Sequence, residues 1–142
     1  MKAKWKKSWI GSKQPRKQRK YRYNAPLHIK QSFLRSLLSK ELRKKYNTRN
    51  VRVRTGDKVK IMRGQFSKKT GKVEKVSIKE SRVYVTGIES LKKDGSKALY
   101  PIHASNIIIE DLDTSDKKRR AKLEGGVPDK NEVTSEKTPS TK

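Results

Sequence analysis

The chain has 142 residues, 39 of them Lys or Arg against 14 Asp or Glu, for a formal net charge of +25. With only 29 Val, Ile, Leu or Phe residues, that length suits one domain with extensions, excludes a large enzyme core, and leaves part of the chain to be ordered by a partner. So basic a chain repels itself, and a dense polyanion offsets the repulsion: nucleic acid first, an anionic membrane surface a distant second.

Composition divides the chain into zones. Residues 1–50 carry 17 basic residues and one acidic residue, residues 51–112 carry 14 and seven, and residues 113–142 carry eight and six. Only the middle zone, with 18 of its 62 residues Val, Ile, Leu or Phe, can build a core of its own, and a domain of about 60 residues buries only about 60% of its unfolded surface.

Residues 1–23 read as an extended basic arm. Trp5, Trp9, Tyr21 and Tyr23 are scattered among Lys and Arg with neither a helical nor a strand period. Residues 24–50 read as helical. Asn24 and Pro26 suit a helix start, and Ile29, Phe33 and Leu37, with Leu34 and Leu38 beside them, fall on one helical face. Ser39 suits a second cap, with Glu41 near the start of that helix and Arg43, Lys44 and Lys45 near its end. Leu38, Leu42 and Tyr46 form its apolar stripe, and both stripes are expected to dock on the middle zone.

Residues 51–112 read as five or six short strands. Val59 and Ile61 alternate with lysines after the turn signal Thr55-Gly56-Asp57. Val73, Val76 and Ile78 follow Gly71, and their parity slips once, which predicts a bulge. Val83 and Val85 form the next strand. Asp94-Gly95 predicts a type I′ hairpin between Ile88–Leu91 and Ala98–Ile102, and Ile107–Ile109 ends the series. Such spacing in so short a segment predicts a mainly β fold, a small closed or sandwiched barrel with an apolar core and a basic exterior. Residues 113–124 form a short helical extension, its helix running from about Asp116 to Leu123. Residues 125–142 read as a polar tail expected to be disordered.

No catalytic constellation emerges. With no cysteine, disulfides and thiolate zinc sites are excluded. His28 and His103 stand in no metal-ligand spacing, and neither a P-loop nor a dinucleotide fingerprint occurs. Asp57, Glu74, Glu80 and Glu89 are read as solvated. The longest aliphatic run is Ile107–Ile109, so no signal-peptide core or membrane span is expected. Neither enzyme activity, cofactor, metal nor small-molecule substrate is expected.

Two segments suit nucleic acid. The run from Gln14 to Pro26 holds Arg16, Lys17, Arg19, Lys20 and Arg22, with Tyr21 and Tyr23 interleaved. Arginine forks pair with phosphates and aromatic rings stack on unpaired bases. The second is the loop between the Val59 and Val73 strands, opened by Gly64 and closed by Gly71, with Arg63, Lys68, Lys69 and Lys72 around it. Glycines there suit close approach of backbone to phosphate.

The pattern Gly56-Asp57-x-Val59-x-Ile61, Arg63-Gly64, Gly71-Lys72-Val73 resembles the KOW motif. The flanks Asn24-Ala25-Pro26-Leu27-His28-Ile29, Leu38-Ser39-Lys40-Glu41-Leu42-Arg43-Lys44-Lys45-Tyr46 and Ile102-His103-Ala104-Ser105-Asn106-Ile107 are similar to the archaeal and eukaryotic form of the universal large-subunit ribosomal protein family twenty-four, called number twenty-six in eukaryotes. The resemblance covers about residues 12–123, and the run QPRKQRK looks archaeal. It implies an SH3-like barrel in the cytoplasmic large ribosomal subunit that binds the 5′ domain of large-subunit rRNA, sits near the exit tunnel beside other ribosomal proteins, and acts early in assembly. It also implies that the RNA-facing loop is Arg63, Gly64, Gln65, Phe66 and Gly71, with Lys72 beside it; His28, Lys44 and Lys45 are further candidate RNA contacts. One departure stands out: the family commonly has Lys-Gly in mid-loop where this chain has Ser67-Lys68, which bears on the backbone of the loop. Two other readings are a KOW transcription factor, which would carry a further domain for the polymerase, and a chromatin-like compacting protein, which would have little use for these flanks.

Overall fold

Period-two burial governs the middle of the chain. In the computed structural model, which describes residues 4–125, strands β3 (Lys58–Ile61), β5 (Arg82–Val85) and β9 (Ile107–Asp111) each bury every second residue: Val59 and Ile61, Val83 and Val85, Ile107 and Ile109. β3 pairs antiparallel with β9 on one side and with β4 (Thr70–Ser77) on the other. β4 continues to β5, and the register shifts between Val73 and Lys75, the bulge that the parity slip predicts. The tail beyond Gly125 and residues 1–3 lie outside the described residues.

Seven strands form one sheet in the order β2-β1-β9-β3-β4-β5-β8, where β1 is Arg35–Leu38, β2 is Asn50–Arg52 and β8 is Ile102–His103. The fold is mainly β, as expected, but the ladder does not close into a barrel. Its edges β2 and β8 are three and two residues long and form no ladder with each other. A separate hairpin joins β6 (Glu89–Leu91) to β7 (Lys97–Leu99). Its turn differs from the expected type I′: only Gly95 has positive φ, at +79°. Lys92 N donates to Ser96 O at 2.9 Å and Gly95 N to Lys92 O at 3.1 Å, the arrangement of a three-residue loop with one left-handed residue.

The N-terminal zones differ most from expectation. The arm read as extended is folded: a 3-10 turn over Lys7–Gly11 leads into helix α1 (Pro15–Asn24). Pro15 sits in its first turn, where the lost N–H costs nothing. Gln18 Nε2 donates to the carbonyls of Trp9, Ile10 and Ser12 at 3.0, 3.2 and 2.7 Å, binding the turn to the helix. The single helix expected on the Ile29–Leu38 face also divides. α2 (Leu27–Phe33) stops, and β1 follows. Leu34 and Leu38, four apart, satisfy either period; here Leu34, Ser36 and Leu38 are all buried, a strand alternation. The Ser36 hydroxyl, which a helix would leave to its own backbone, donates to Ile107 O at 2.5 Å. β1 pairs parallel with β9. Helix α3 (Lys40–Tyr46) starts as predicted, with Ser39 Oγ accepting from Leu42 N at 3.3 Å.

Helix α4 (Lys117–Glu124) is capped by Asp116, whose carboxylate accepts from Lys118 N at 2.9 Å. It docks through Leu123 and Arg119, both buried. Arg119 overturns one expectation. Asp57, read as solvated, has 0% exposure and takes the guanidinium in a fork, Nη1 to Oδ1 at 2.6 Å and Nη2 to Oδ2 at 2.8 Å. Its carboxylate also accepts from Arg54 N at 2.8 Å and Asp113 N at 3.1 Å. A buried carboxylate survives only when so fully paired.

Candidate nucleic-acid interface

The β3–β4 loop is held from several sides. Met62 N donates to Asn106 O at 2.7 Å, Lys68 N to Ile61 O at 2.8 Å, and Ser67 N to Gly64 O at 3.0 Å. Phe66 packs edge-on against Tyr100, with ring centroids 5.1 Å apart, and the Lys69 ammonium lies 5.4 Å from the Phe66 ring. Phe66 is half-buried against the core, so it anchors the loop and leaves Arg63, Gly64, Gln65, Lys68 and Lys69 exposed. A pinned loop that presents cations loses little entropy when it meets phosphate.

The departure at Ser67-Lys68 has a structural answer. Lys68 takes φ +70°, the left-handed conformation that favours glycine, so the loop keeps the turn without the residue that makes it cheap. That conformation costs an L-residue about 1–2 kcal/mol, offset in part by the roughly 0.5–1 kcal/mol of extra entropy that glycine loses. Lys68→Gly is therefore expected to raise stability by about 0.5–1 kcal/mol, read from the denaturant midpoint, while removing a loop cation.

Gly71 lies in β4, opposite Val59, not on the loop. A Cβ there would meet Thr86 O and Val85 Cγ1, each at 2.7 Å, so packing between strands explains this glycine. Lys72, exposed on the same strand, has Lys58 as its Cα partner, and Lys58 has Asp111 on its other side.

Along α1, Arg16, Lys17, Arg19, Lys20 and Arg22 are all exposed. Tyr21 is not available for base stacking: it is 3% exposed, stacked on Trp5 at 5.5 Å and edge-on to Phe33 at 6.0 Å. Tyr23, at 81% exposure, is open to solvent. Arg22 and Lys20 lie over the rings of Phe33 and Trp9, each 5.5 Å from the centroid. His28 on α2 and Lys44 and Lys45 on α3 are also exposed.

His103 ends β8, immediately before the turn that holds the loop. Asn106, which accepts from the loop at Met62, belongs to the 3-10 turn Ala104–Asn106 that follows β8. His103 Nδ1 accepts from Ser105 N at 3.3 Å. Burial, and then the charges of Arg82 and Arg22, hold its imidazole below the ordinary histidine value.

Sequence reasoning missed the cations that only strand register brings together. Arg35 faces Arg52 across β1–β2. Like charges placed directly opposite destabilise a sheet unless something neutralises them. Among the described residues no His, Cys, Asp and Glu cluster could hold a metal ion, and no helix is long and apolar enough to cross a membrane.

The described residues thus form a small β domain that exposes cations on one pinned loop and along its helices. The family of ribosomal proteins described as L26 in eukaryotes and L24 in archaea matches residues 12–125, and the chain belongs to that family, whose members are structural and not enzymes. A curated relative, the large ribosomal subunit protein uL24 of Methanosarcina barkeri (strain Fusaro / DSM 804), is 46% identical over 112 residues, which cover 79% of this chain and 97% of that protein.

Proposed function

We propose that this chain is a structural constituent of the large ribosomal subunit in the cytoplasm, binding large-subunit rRNA without turnover. The observation that carries the reading is the β3–β4 loop, whose backbone is fixed by Asn106, Ile61 and the Phe66–Tyr100 contact while Arg63, Lys68 and Lys69 stay exposed. Membership of a ribosomal protein family and the relative's printed name support it. Arg16, Lys17, Arg19, Lys20, Arg22 and Tyr23 of α1, with His28, Lys44, Lys45 and Lys72, extend the surface over which the RNA lies. The 5′ domain is the RNA segment, neighbouring large-subunit proteins are the other partners, and assembly near the exit tunnel is early.

The test is sedimentation of a lysate in high salt, with the gradient fractions probed for this chain. Co-migration with the large subunit is expected; release into light fractions or retention with DNA would overturn the reading. With about eight phosphates neutralised, the log–log salt slope of RNA binding is about −6 to −7. Lys68→Glu with Lys69→Glu is expected to weaken binding to a 5′-domain transcript while the fold melts as before, and unchanged affinity at moderate salt would remove the loop from the interface.

A further inference from the structure

A groove of about 480 Å³ lies between the open edge strand β2 and helix α4. Arg35, Arg52 and Arg54 line it on the sheet side and Lys118, Arg119 and Lys122 on the helix side, and no Asp or Glu is among its lining residues. Two of these cations are matched: Arg54 pairs with Asp116 and Arg119 with Asp57. Arg35, Arg52, Lys118 and Lys122 form no ion pair among the described residues.

The arrangement has a specific origin. Arg35 and Arg52 are Cα partners across β1–β2. Lys118 and Lys122 stand one turn apart and are exposed, while Arg119 and Leu123 beside them are buried and dock the helix. The Asp57–Arg119 fork thus brings two lysines to the groove that two arginines already line, none of the four ion-paired among the described residues. Such a groove repels itself until an anion enters.

We propose that this groove is a second RNA-binding surface, one that holds successive phosphates of a single strand. The proposal rests on the rRNA-binding reading above and adds a surface built from other elements than the β3–β4 loop. Arginine forks suit phosphate oxygens. Asn50, which also lines the groove, supplies an amide, and Thr48, whose hydroxyl donates to Tyr46 O at 2.9 Å, supplies an acceptor for a sugar hydroxyl. A membrane surface fits poorly: the apolar lining residues are Val51, half-buried, and Leu123, buried, so no exposed apolar side chain is left to insert.

Lys118→Gln with Lys122→Gln in the full chain tests this, because both side chains are exposed and lie outside the docking contacts. Binding to a 5′-domain transcript should show a salt slope shallower by about 1.4–1.8, two contacts at 0.7–0.9 each, with an unchanged melt and recovery in Lys118→Arg with Lys122→Arg. A wild-type slope in the glutamine variant, while Lys68→Glu with Lys69→Glu still weakens binding, would overturn the groove alone. No binding by the wild-type chain would overturn the rRNA reading and the groove together. Lysine acylation separates RNA from free phosphate: the transcript should shield Lys118 and Lys122, and equal shielding by inorganic phosphate at the same phosphate concentration would overturn the RNA assignment.

Discussion

Asp57→Asn is expected to destabilise the protein by about 3–5 kcal/mol, the cost of leaving one member of a buried ion pair uncompensated. The carboxylate is fully buried, forks the Arg119 guanidinium and accepts from two backbone N–H groups. An asparagine keeps the shape but gives up the charge, and one of its two former acceptors becomes a donor aimed at another donor. Arg119 is 6% exposed, and its Nε has no acceptor among the described residues, so it has little room to recover water. Small domains have about 5–15 kcal/mol in total, so the change removes a large part of the stability. Replacing both partners, Asp57→Asn with Arg119→Met, is expected to cost less than the two single changes added together, because no charge remains buried. Denaturant midpoints of the wild type, both singles and the double check this, and a wild-type midpoint for Asp57→Asn would remove the pair from the stability of the fold.

That pair also marks where the sequence stops being legible. The local signals held: alternation gave β3 and β5, the aliphatic run Ile107–Ile109 gave β9, the parity slip between Val73 and Val76 gave the bulge, and Ser39 and the Asp116 region gave two helix starts. Long-range partners were hidden. Asp57 and Arg119 are 62 residues apart, and beside Lys58 an aspartate reads as solvated. Arg35 and Arg52 become neighbours only through the β1–β2 register, which no local period encodes. α1 escaped notice because it buries only Tyr21 and so carries no apolar stripe; Pro15 at its start was the available sign. Leu34 and Leu38 misled because a spacing of four fits both periods, and only the buried Ser36 between them separates strand from helix. At the candidate interface, charge was legible and orientation was not. The exposed cations and Tyr23 lie open to solvent, while Tyr21 and Phe66 turn inward and Gly71 belongs to a strand.

Gly71→Ala is expected to cost about 1–3 kcal/mol, the range for overpacking, without changing the salt slope of RNA binding. Its added Cβ would stand 2.7 Å from Thr86 O, a backbone atom fixed by the bond Thr86 N makes to Lys72 O at 2.9 Å. Neither side can give way without parting β4 from β5. Gly64 is the contrasting case. A Cβ there meets nothing within 4 Å, and its φ of +94° alone makes glycine necessary, so Gly64→Ala strains an exposed turn that carries Arg63 and Gln65. The two variants separate the roles that one motif joins. Gly71→Ala should lower the denaturant midpoint and bind a 5′-domain transcript as the wild type does under conditions where it is folded. Gly64→Ala should weaken binding by shifting the loop that presents Arg63. Gly56 and Asp57 serve the fold as Gly71 does: Gly56 holds φ +89°, with Asp113 Oδ2 2.9 Å from where a Cβ would stand, and Asp57 holds α4. If Gly71→Ala instead kept its midpoint and lost affinity, the close approach at that strand would serve phosphate rather than the packing of β4 on β5.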